Sequence, residues 1–316
     1  MKKIEKISDL PQKDEVFLTI GNFDGLHIGH KKIFDEMIND SKGKNTFVIT
    51  FKNAALEILN PKAFSGYIFP EGYKEIFIKK LNIDYFVLLD FMDVKDIEAA
   101  NFINILKEKF KKINIYVGED FKFGKNNRGD VKLLKKCIEN VKIIPDVLID
   151  GEKVSSSRIR QLIISGNIEK AYKMLSRPYF YISESVRGDG LGSKLGFPTI
   201  NMVKNSQVLP AYGVYFTIYK FEDKVFPAMT YIGTRPTLNT KELRIETNII
   251  NLDKETEKLI KKLKKHCILF IKKTRDEKKF HNLEELKNFL YNDREIILNL
   301  YKEIEKTGGF ENVYNF

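Results

Sequence analysis

The residues Gly21-Asn22-Phe23-Asp24-Gly25-Leu26-His27-Ile28-Gly29-His30 follow an apolar run, Val16 to Ile20, and precede a helical pattern from about Ile28 to Asn39. Glycines where a strand turns into a helix let backbone approach a ligand closely, and the helix start offers N–H groups and partial positive charge to a phosphate. His27 and His30 are expected on one helical face, where both could donate to oxyanions. Taken alone, the pair also fits a tight turn with two surface or metal-binding histidines; only His266 and His281 remain as further imidazoles. A second phosphate-type segment is Val154-Ser155-Ser156-Ser157-Arg158-Ile159-Arg160, a helix cap followed by a helix to about Ser165 with Arg160 one turn in. By itself it also fits a plain cap.

A third segment runs from Gly188 to Asn201 and places Gly188, Gly190, Gly192 and Gly196 within nine residues. That density reads as a working loop or a linker, and the stiff apolar end Phe197-Pro198-Thr199-Ile200-Asn201 favours a loop pinned to a core. Farther on, Gly213-Val214-Tyr215, Ile232-Gly233-Thr234-Arg235-Pro236-Thr237 and Arg244-Ile245-Glu246-Thr247 join short apolar runs. Glu246 alone reads as an exposed strand carboxylate.

The elements that must carry these groups differ between the two halves. Strand-like 16–20, 46–51, 84–89 and 113–118 alternate with helical patterns near 28–39, 72–81 and 95–110, which predicts a parallel α/β sheet. From about residue 180 the runs 212–221, 225–232, 243–251 and 267–273 follow one another without helices, predicting an antiparallel barrel or sandwich. A helix over roughly 282–306 closes the chain, with Asn282 as N-cap and Glu285 three residues on. The helix ending at Leu175 meets Arg177-Pro178-Tyr179, so the boundary is expected near 177–183, giving domains 1–180 and 181–316. A length of 316 residues suits two such cores.

In this order and spacing the motifs resemble a known family. The first half is similar to the nucleotidylyltransferase superfamily and, more closely, to the FMN adenylyltransferase module of bifunctional prokaryotic riboflavin kinase/FAD synthetases: Gly21 to His30 meets GxFDGxHxGH, Val117-Gly118-Glu119-Asp120-Phe121-Lys122-Phe123-Gly124 meets VGxDFxFG, and 155–160 meets SSTxIR with Ser157 for Thr. The second half resembles the riboflavin kinase module through the Gly188–Asn201 loop, Pro210 to Tyr215, the Ile232–Thr237 segment, Glu246 and Arg275-Asp276-Glu277-Lys278-Lys279-Phe280. The resemblance implies a Rossmann-like domain followed by an antiparallel β-barrel with a C-terminal helix. It implies riboflavin, FMN and ATP as substrates, FMN and FAD as products, and Mg²⁺ with the ATP.

Residue by residue, it implies that His27, His30 and Arg160 hold a triphosphate, and that Gly21, Phe23, Asp24, Gly25, Gly29, Asp120, Phe123, Ser156 and Ser157 line the nucleotide site. It implies Thr199 and Asn201 as ligands of Mg²⁺, Glu246 as general base, and Gly188, Gly192, Lys194, Gly196, Pro198 and Arg275 as further binding residues. Two departures stand out. Thr50-Phe51 is followed by Lys52-Asn53-Ala54-Ala55 rather than a Pro-His-Pro type segment, so an enzyme with only the kinase half active is the alternative. After Glu246 comes a Lys-rich stretch, Asp253 to His266, expected as an amphipathic helix or a lid.

Lys+Arg number 54 against 43 Asp+Glu, a net charge of +11, which raises a nucleic-acid binder as the competing class. The basicity is mostly Lys spread over both halves, with nine Arg, of which Arg128, Arg158, Arg160, Arg177, Arg187, Arg235 and Arg275 fall in or beside the matched motifs. The expectation is therefore ATP as the anion, with no nucleic-acid partner. Cys137 and Cys267 lack metal or disulfide spacing, and no apolar run reaches ~18 residues. A cytoplasmic monomer or weak homo-oligomer with no membrane partner is expected.

Overall fold

The computed structural model describes residues 1–234 and 242–306. By contact the chain forms two units, Met1–Ser65 with Glu71–Ser156, and Gly66–Pro70 with the chain from Ser157 onward.

The first unit contains β1 (Lys2–Ile4), β2 (Lys13–Ile20), β3 (Thr46–Phe51), β4 (Tyr85–Leu89), β5 (Phe110–Gly118), β6 (Lys122–Phe123), β7 (Gly129–Asp130), β8 (Asn140–Ile144), β9 (Leu148–Ile149) and β10 (Glu152–Lys153). Its helices are α1 (Ile28–Ser41), α2 (Ala55–Leu59), α3 (Tyr73–Lys79), α4 (Phe91–Val94), α5 (Ala99–Lys109) and α6 (Val131–Cys137). Six strands in the order β1-β4-β3-β2-β5-β8 form one sheet, and every neighbouring pair is parallel. Alternate side chains of β2 bury on opposite faces. Val16, Leu18 and Ile20 join Phe102, Leu106 and Leu134 from α5 and α6, while Phe17 joins Phe34, Met37 and Ile78 from α1 and α3. Burial on both faces is why these strands read as continuous apolar runs.

Strand order fixes where a ligand can lie. From β2 the chain moves through β3 to β4 on one side, then returns to β5 on the other side of β2. The carboxyl ends of β2 and β5 therefore flank a switch point, where the helices that follow diverge and leave a crevice. The turn from Gly21 follows β2 directly, and the segment from Glu119 follows β5.

The second unit contains α7 (Ser156–Ile164, entering from the first unit at Ser156), α8 (Ile168–Leu175), β11 (Tyr179–Val186), α9 (Leu191–Lys194), β12 (Ile200–Met202), β13 (Gly213–Phe221), β14 (Lys224–Gly233), β15 (Arg244–Ile249), α10 (Lys254–Ile260), β16 (Lys265–Arg275) and α11 (Leu283–Lys306). The strands close as a barrel, β11-β12-β15-β14-β13-β16, with all pairs antiparallel. Closure leaves no exposed sheet edge. Of the two antiparallel architectures the sequence allows, the molecule takes the barrel.

Three hydroxyls run through the buried barrel wall. Thr217 Oγ1 lies 2.8 Å from Thr230 Oγ1, which lies 2.9 Å from Thr247 Oγ1. All three threonines are fully buried, so this chain supplies the partners their hydroxyls would otherwise lose with water.

Within the Lys-rich stretch from Asp253 to His266, Lys254–Ile260 form the helix α10, and Lys265 and His266 begin β16. Asp253 caps the helix, its Oδ1 accepting from Glu255 N at 3.0 Å and Thr256 N at 2.8 Å, and Thr256 and Ile260 are buried beneath it. The cap of α11 differs slightly from the pattern expected. Asn282 Oδ1 accepts from Glu285 N at 2.8 Å, but Glu285 Oε2 reaches one residue farther back, to His281 N at 2.7 Å.

Two candidate active sites

In the first unit, the turn after β2 is built on left-handed backbone at Phe23, Gly25 and Leu26, with φ of 48°, 76° and 38°. Phe23 and Leu26 adopt there a conformation that side chains disfavour, which a scaffold sustains only when it over-determines the turn. Phe23 anchors it, buried against Phe34 with ring centroids 4.9 Å apart. Gly21 makes room: a Cβ there would lie 2.9 Å from the Phe23 ring.

His27 is the N-cap of α1, one residue ahead of its first turn, and its ring lies beside that of His30. Its Nδ1 accepts from His30 N at 3.3 Å, and the two rings stack at 3.5 Å and 20°. A neutral imidazole that accepts at Nδ1 carries its proton at Nε2. Gly29 permits the fold-back, since a Cβ there would press on His27 Nδ1 at 3.1 Å. Ser156 Oγ donates to Asp24 O at 2.9 Å, bringing the first residue of α7 to this turn.

Other expected residues sit differently. Asp120 is largely exposed and pairs with Lys153, which also reaches Asp146 at 2.7 Å. Phe123 is in the core against Phe121 and Phe102, with Gly129 packed on its ring. Ser157 and Arg160 belong by contact to the second unit, where Ser157 is exposed and Arg160 Nε donates to Gly66 O at 2.9 Å.

Lys74 of α3 is a group that motif reading misses. Its Nζ donates to Phe51 O at 2.9 Å and Thr50 Oγ1 at 3.2 Å, at the carboxyl end of β3. Burial pushes the ammonium down to about 8, against the pull of the Asp24 carboxylate. The signal available in sequence is its position one turn before the fully buried Ile78, but one Lys among so many does not stand out.

In the second unit, pairing registers assemble a row. Asn201 of β12 lies opposite Glu246 of β15, Glu246 opposite Tyr231 of β14, and Tyr231 opposite Val214 of β13. Directly opposed residues share a sheet face. Val214, Tyr231 and Glu246 of that face line a cleft with Thr199, Phe197, Met229, Phe280 and, from α11, Leu286 and Leu290. Gly192 and Arg275 line it as well.

The Gly188–Gly196 loop folds onto the two residues expected to hold metal. A Cβ on Gly188 would collide with the Asn201 amide, and one on Gly192 would lie 3.3 Å from Thr199 Oγ1 and collide with Phe197 O. Asn201 is buried and its Oδ1 has no hydrogen-bond partner. A buried acceptor left unpaired, two residues along the chain from Thr199, fits a hard, oxygen-seeking cation such as Mg²⁺. Among the described residues no group of three or more His, Cys, Asp or Glu could hold a metal.

Gly196 takes φ of 88° at the loop's end, Lys194 closes α9 exposed to water, and Pro198 O accepts from Asn248 Nδ2 at 2.7 Å. Arg275 is locked by a residue the motifs do not include. Its Nε lies 3.0 Å from Asp293 Oδ1 and its Nη2 2.7 Å from Asp293 Oδ2, a bidentate pair to α11. Asp293 falls on the same helical stripe as Leu286, Leu290 and Ile297, and a carboxylate on an apolar stripe is the sequence signal of a buried ion pair. Glu277 accepts from Tyr231 OH at 2.5 Å and Thr234 N at 2.7 Å. Arg235, Pro236 and Thr237 lie outside the described residues.

Known proteins match along the same division. A family model described as FAD synthetase matches residues 9–158, and one described as riboflavin kinase matches residues 175–301. A bifunctional riboflavin kinase/FMN adenylyltransferase from Buchnera aphidicola subsp. Schizaphis graminum is 31% identical over 310 residues, spanning 94% of this chain and 98% of its own length. The Escherichia coli (strain K12) protein of the same name is 29% identical over 297 residues, spanning 91% and 93%. The crystal structure of a macrolide-efflux protein from Streptococcus pneumoniae aligns with a TM-score of 0.81 at 27% identity, covering 94% of this chain and 98% of that one. Efflux is said of that protein; among the described residues here no helix is long and apolar enough to cross a membrane. With relatives that match it end to end and family models that match both halves, the chain belongs to the bifunctional riboflavin kinase/FMN adenylyltransferase family.

Proposed function

We propose that this chain phosphorylates riboflavin with ATP to give FMN, and then adenylylates FMN with a second ATP to give FAD and pyrophosphate. Residues 1–180 are read as the adenylyltransferase module and 181–316 as the kinase. The observation that carries the reading is the row Asn201–Glu246–Tyr231, of which Glu246 and Tyr231 line an apolar cleft, with Gly188 folded onto the buried Asn201 amide.

In the kinase, the apolar lining from Phe197, Met229, Phe280, Leu286 and Leu290 suits the flavin ring. Glu246 takes the proton of the ribityl hydroxyl as that oxygen bonds to the γ-phosphorus of ATP, and ADP leaves. Thr199 Oγ1 and Asn201 Oδ1 would hold Mg²⁺, which supplies neutralisation of the ATP phosphates when bound. Gly188, Gly192 and Gly196 keep backbone close to those phosphates, with Lys194 and Pro198 beside them, and Arg275 holds α11 over the cleft through Asp293.

In the adenylyltransferase, a phosphate oxygen of FMN attacks the α-phosphorus of ATP and pyrophosphate leaves, so the protein's task is positioning and charge neutralisation. His27 and the stacked His30, on the turn that follows β2, are read as triphosphate donors. The assignment of Arg160 to the same triphosphate comes from the family resemblance. The chain is read as cytoplasmic, monomeric or weakly self-associating, without nucleic-acid or membrane partners.

Purified protein given riboflavin and Mg²⁺-ATP should yield FMN and then FAD by chromatography; neither product appearing refutes the reading. E246Q should lower FMN formation about 10²–10⁴-fold while FAD formation from supplied FMN continues.

A further inference from the structure

Lys74 lies on the inner face of α3, one helical turn before Ile78, whose side chain is fully buried. From there Nζ reaches the end of β3, donating to Phe51 O at 2.9 Å and Thr50 Oγ1 at 3.2 Å. Thr50, itself fully buried, donates in turn to Asn22 O at 3.1 Å, inside the turn that carries His27 and His30. The edge of that turn is tied to β3 as well, through Gly21 N to Ile49 O at 3.1 Å. Lys74 is thus wired to the site turn through one buried hydroxyl.

An ammonium has three N–H groups, and two are used. The third makes no hydrogen bond among the described residues. Asp24, 2% exposed, faces the ammonium by charge, yet burial still depresses the Lys74 pKa to about 8. One carboxylate does not replace the water Lys74 has lost, and an incoming oxyanion would. Lys52, the other nearby cation in the sequence, turns away to Glu5 at 3.5 Å.

The side of β2 on which this cation lies identifies its ligand. The switch-point crevice opens between β2 and β5, and the turn with His27 and His30 serves the triphosphate there; β3 lies on the opposite side of β2. We propose that Lys74 is a catalytic residue of adenylyl transfer, its free N–H binding a phosphate oxygen of FMN and aligning that group for attack on ATP. The proposal rests on the adenylyltransferase reading of the first unit. It also supplies a cation at the strand end where the segment Lys52-Asn53-Ala54-Ala55 carries no histidine.

The test uses the full chain and follows FMN and FAD formation separately. K74Q keeps hydrogen-bonding capacity toward Phe51 O but removes the charge. It should raise KM for FMN by about 10–10²-fold, as loss of a hydrogen bond to a charged group does, with KM for ATP changed less than about threefold. K74R, which keeps the charge, should recover part of that loss. Riboflavin phosphorylation in the same preparations should stay within about twofold, reporting an intact second unit. KM for FMN and kcat of K74Q both within about threefold of the parent overturn the proposal. So do parallel rises in KM for FMN and ATP with a lowered melting temperature, which mark a merely structural role. If the parent protein itself makes FMN but no FAD from supplied FMN, the adenylyltransferase reading fails, and the Lys74 proposal with it.

Discussion

Gly188→Ala adds one methyl group to the loop that covers Asn201. Gly188 has no left-handed φ, so alanine meets no backbone penalty there and the whole effect is steric. The added Cβ would sit 2.6 Å from Asn201 Cγ and 2.8 Å from its Oδ1. Ordinary carbon contacts begin near 3.5 Å, so either the loop or the amide must move by about 1 Å. Asn201 is held on β12, hydrogen-bonded between β11 and β15, and its amide has little room to give. Displacement of a phosphate- or metal-binding group by about 1 Å is expected to lower kcat/KM for FMN formation by about 10²-fold. The assay is riboflavin phosphorylation at saturating and limiting Mg²⁺-ATP, with FAD formation from supplied FMN as the internal control. A useful comparison is Gly190→Ala, where φ is 73° but nothing lies within 4 Å of the new Cβ. Its backbone strain of about 1 kcal/mol should act on loop stability with no clash against Asn201. FMN formation by G188A within about threefold of the parent would show that Asn201 does not need the space Gly188 leaves, and would refute the assignment of this loop.

Two further outcomes follow from buried charges. Asp293→Asn leaves the Arg275 guanidinium without its anion; with Asp293 3% and Arg275 21% exposed, the loss should be about 2–4 kcal/mol, at or below the usual cost of breaking a fully buried pair. Denaturant unfolding of the second unit measures it, together with a rise in KM for riboflavin as α11 loosens over the cleft; unchanged values refute the locking role. For Lys74, the folded protein releases the proton near pH 8 and the unfolded chain near 10.5, so between those values unfolding takes up a proton and stability rises with pH. Measured against K74M, which lacks the group, the parent should gain up to about 3 kcal/mol across that window, and a flat difference refutes the buried-ammonium picture.

The alternation of strands and helices in the first half is visible in the chain because parallel strands are buried on both faces and so appear as unbroken apolar runs. Thr46-Phe47-Val48-Ile49-Thr50-Phe51 is β3 to the residue. The second half shows its hairpins equally plainly, but one property of its strands could not separate barrel from sandwich. That choice depends on whether β11 pairs with both β12 and β16, a long-range closure that local pattern does not encode. The three-residue strand β12 is also invisible as a strand, since Phe-Pro-Thr-Ile-Asn has too few alternating positions.

Residue types and spacing by themselves marked out stretches suited to phosphate, because glycines and helix-start residues offer close backbone and N–H groups, while each stretch taken alone also fitted a tight turn or a plain cap. Tertiary structure alone decided which atoms those residues present. His27 became a cap, its Nδ1 accepting from His30 N, because Gly29 lets its ring fold back. Asn201 and Glu246, 45 positions apart by number, became neighbours through strand register. Arg275 gained Asp293, and Lys74 reached the site turn through Thr50. Each of these contacts joins groups distant in the chain or turns a side chain within a local fold, and only packing selects among such arrangements.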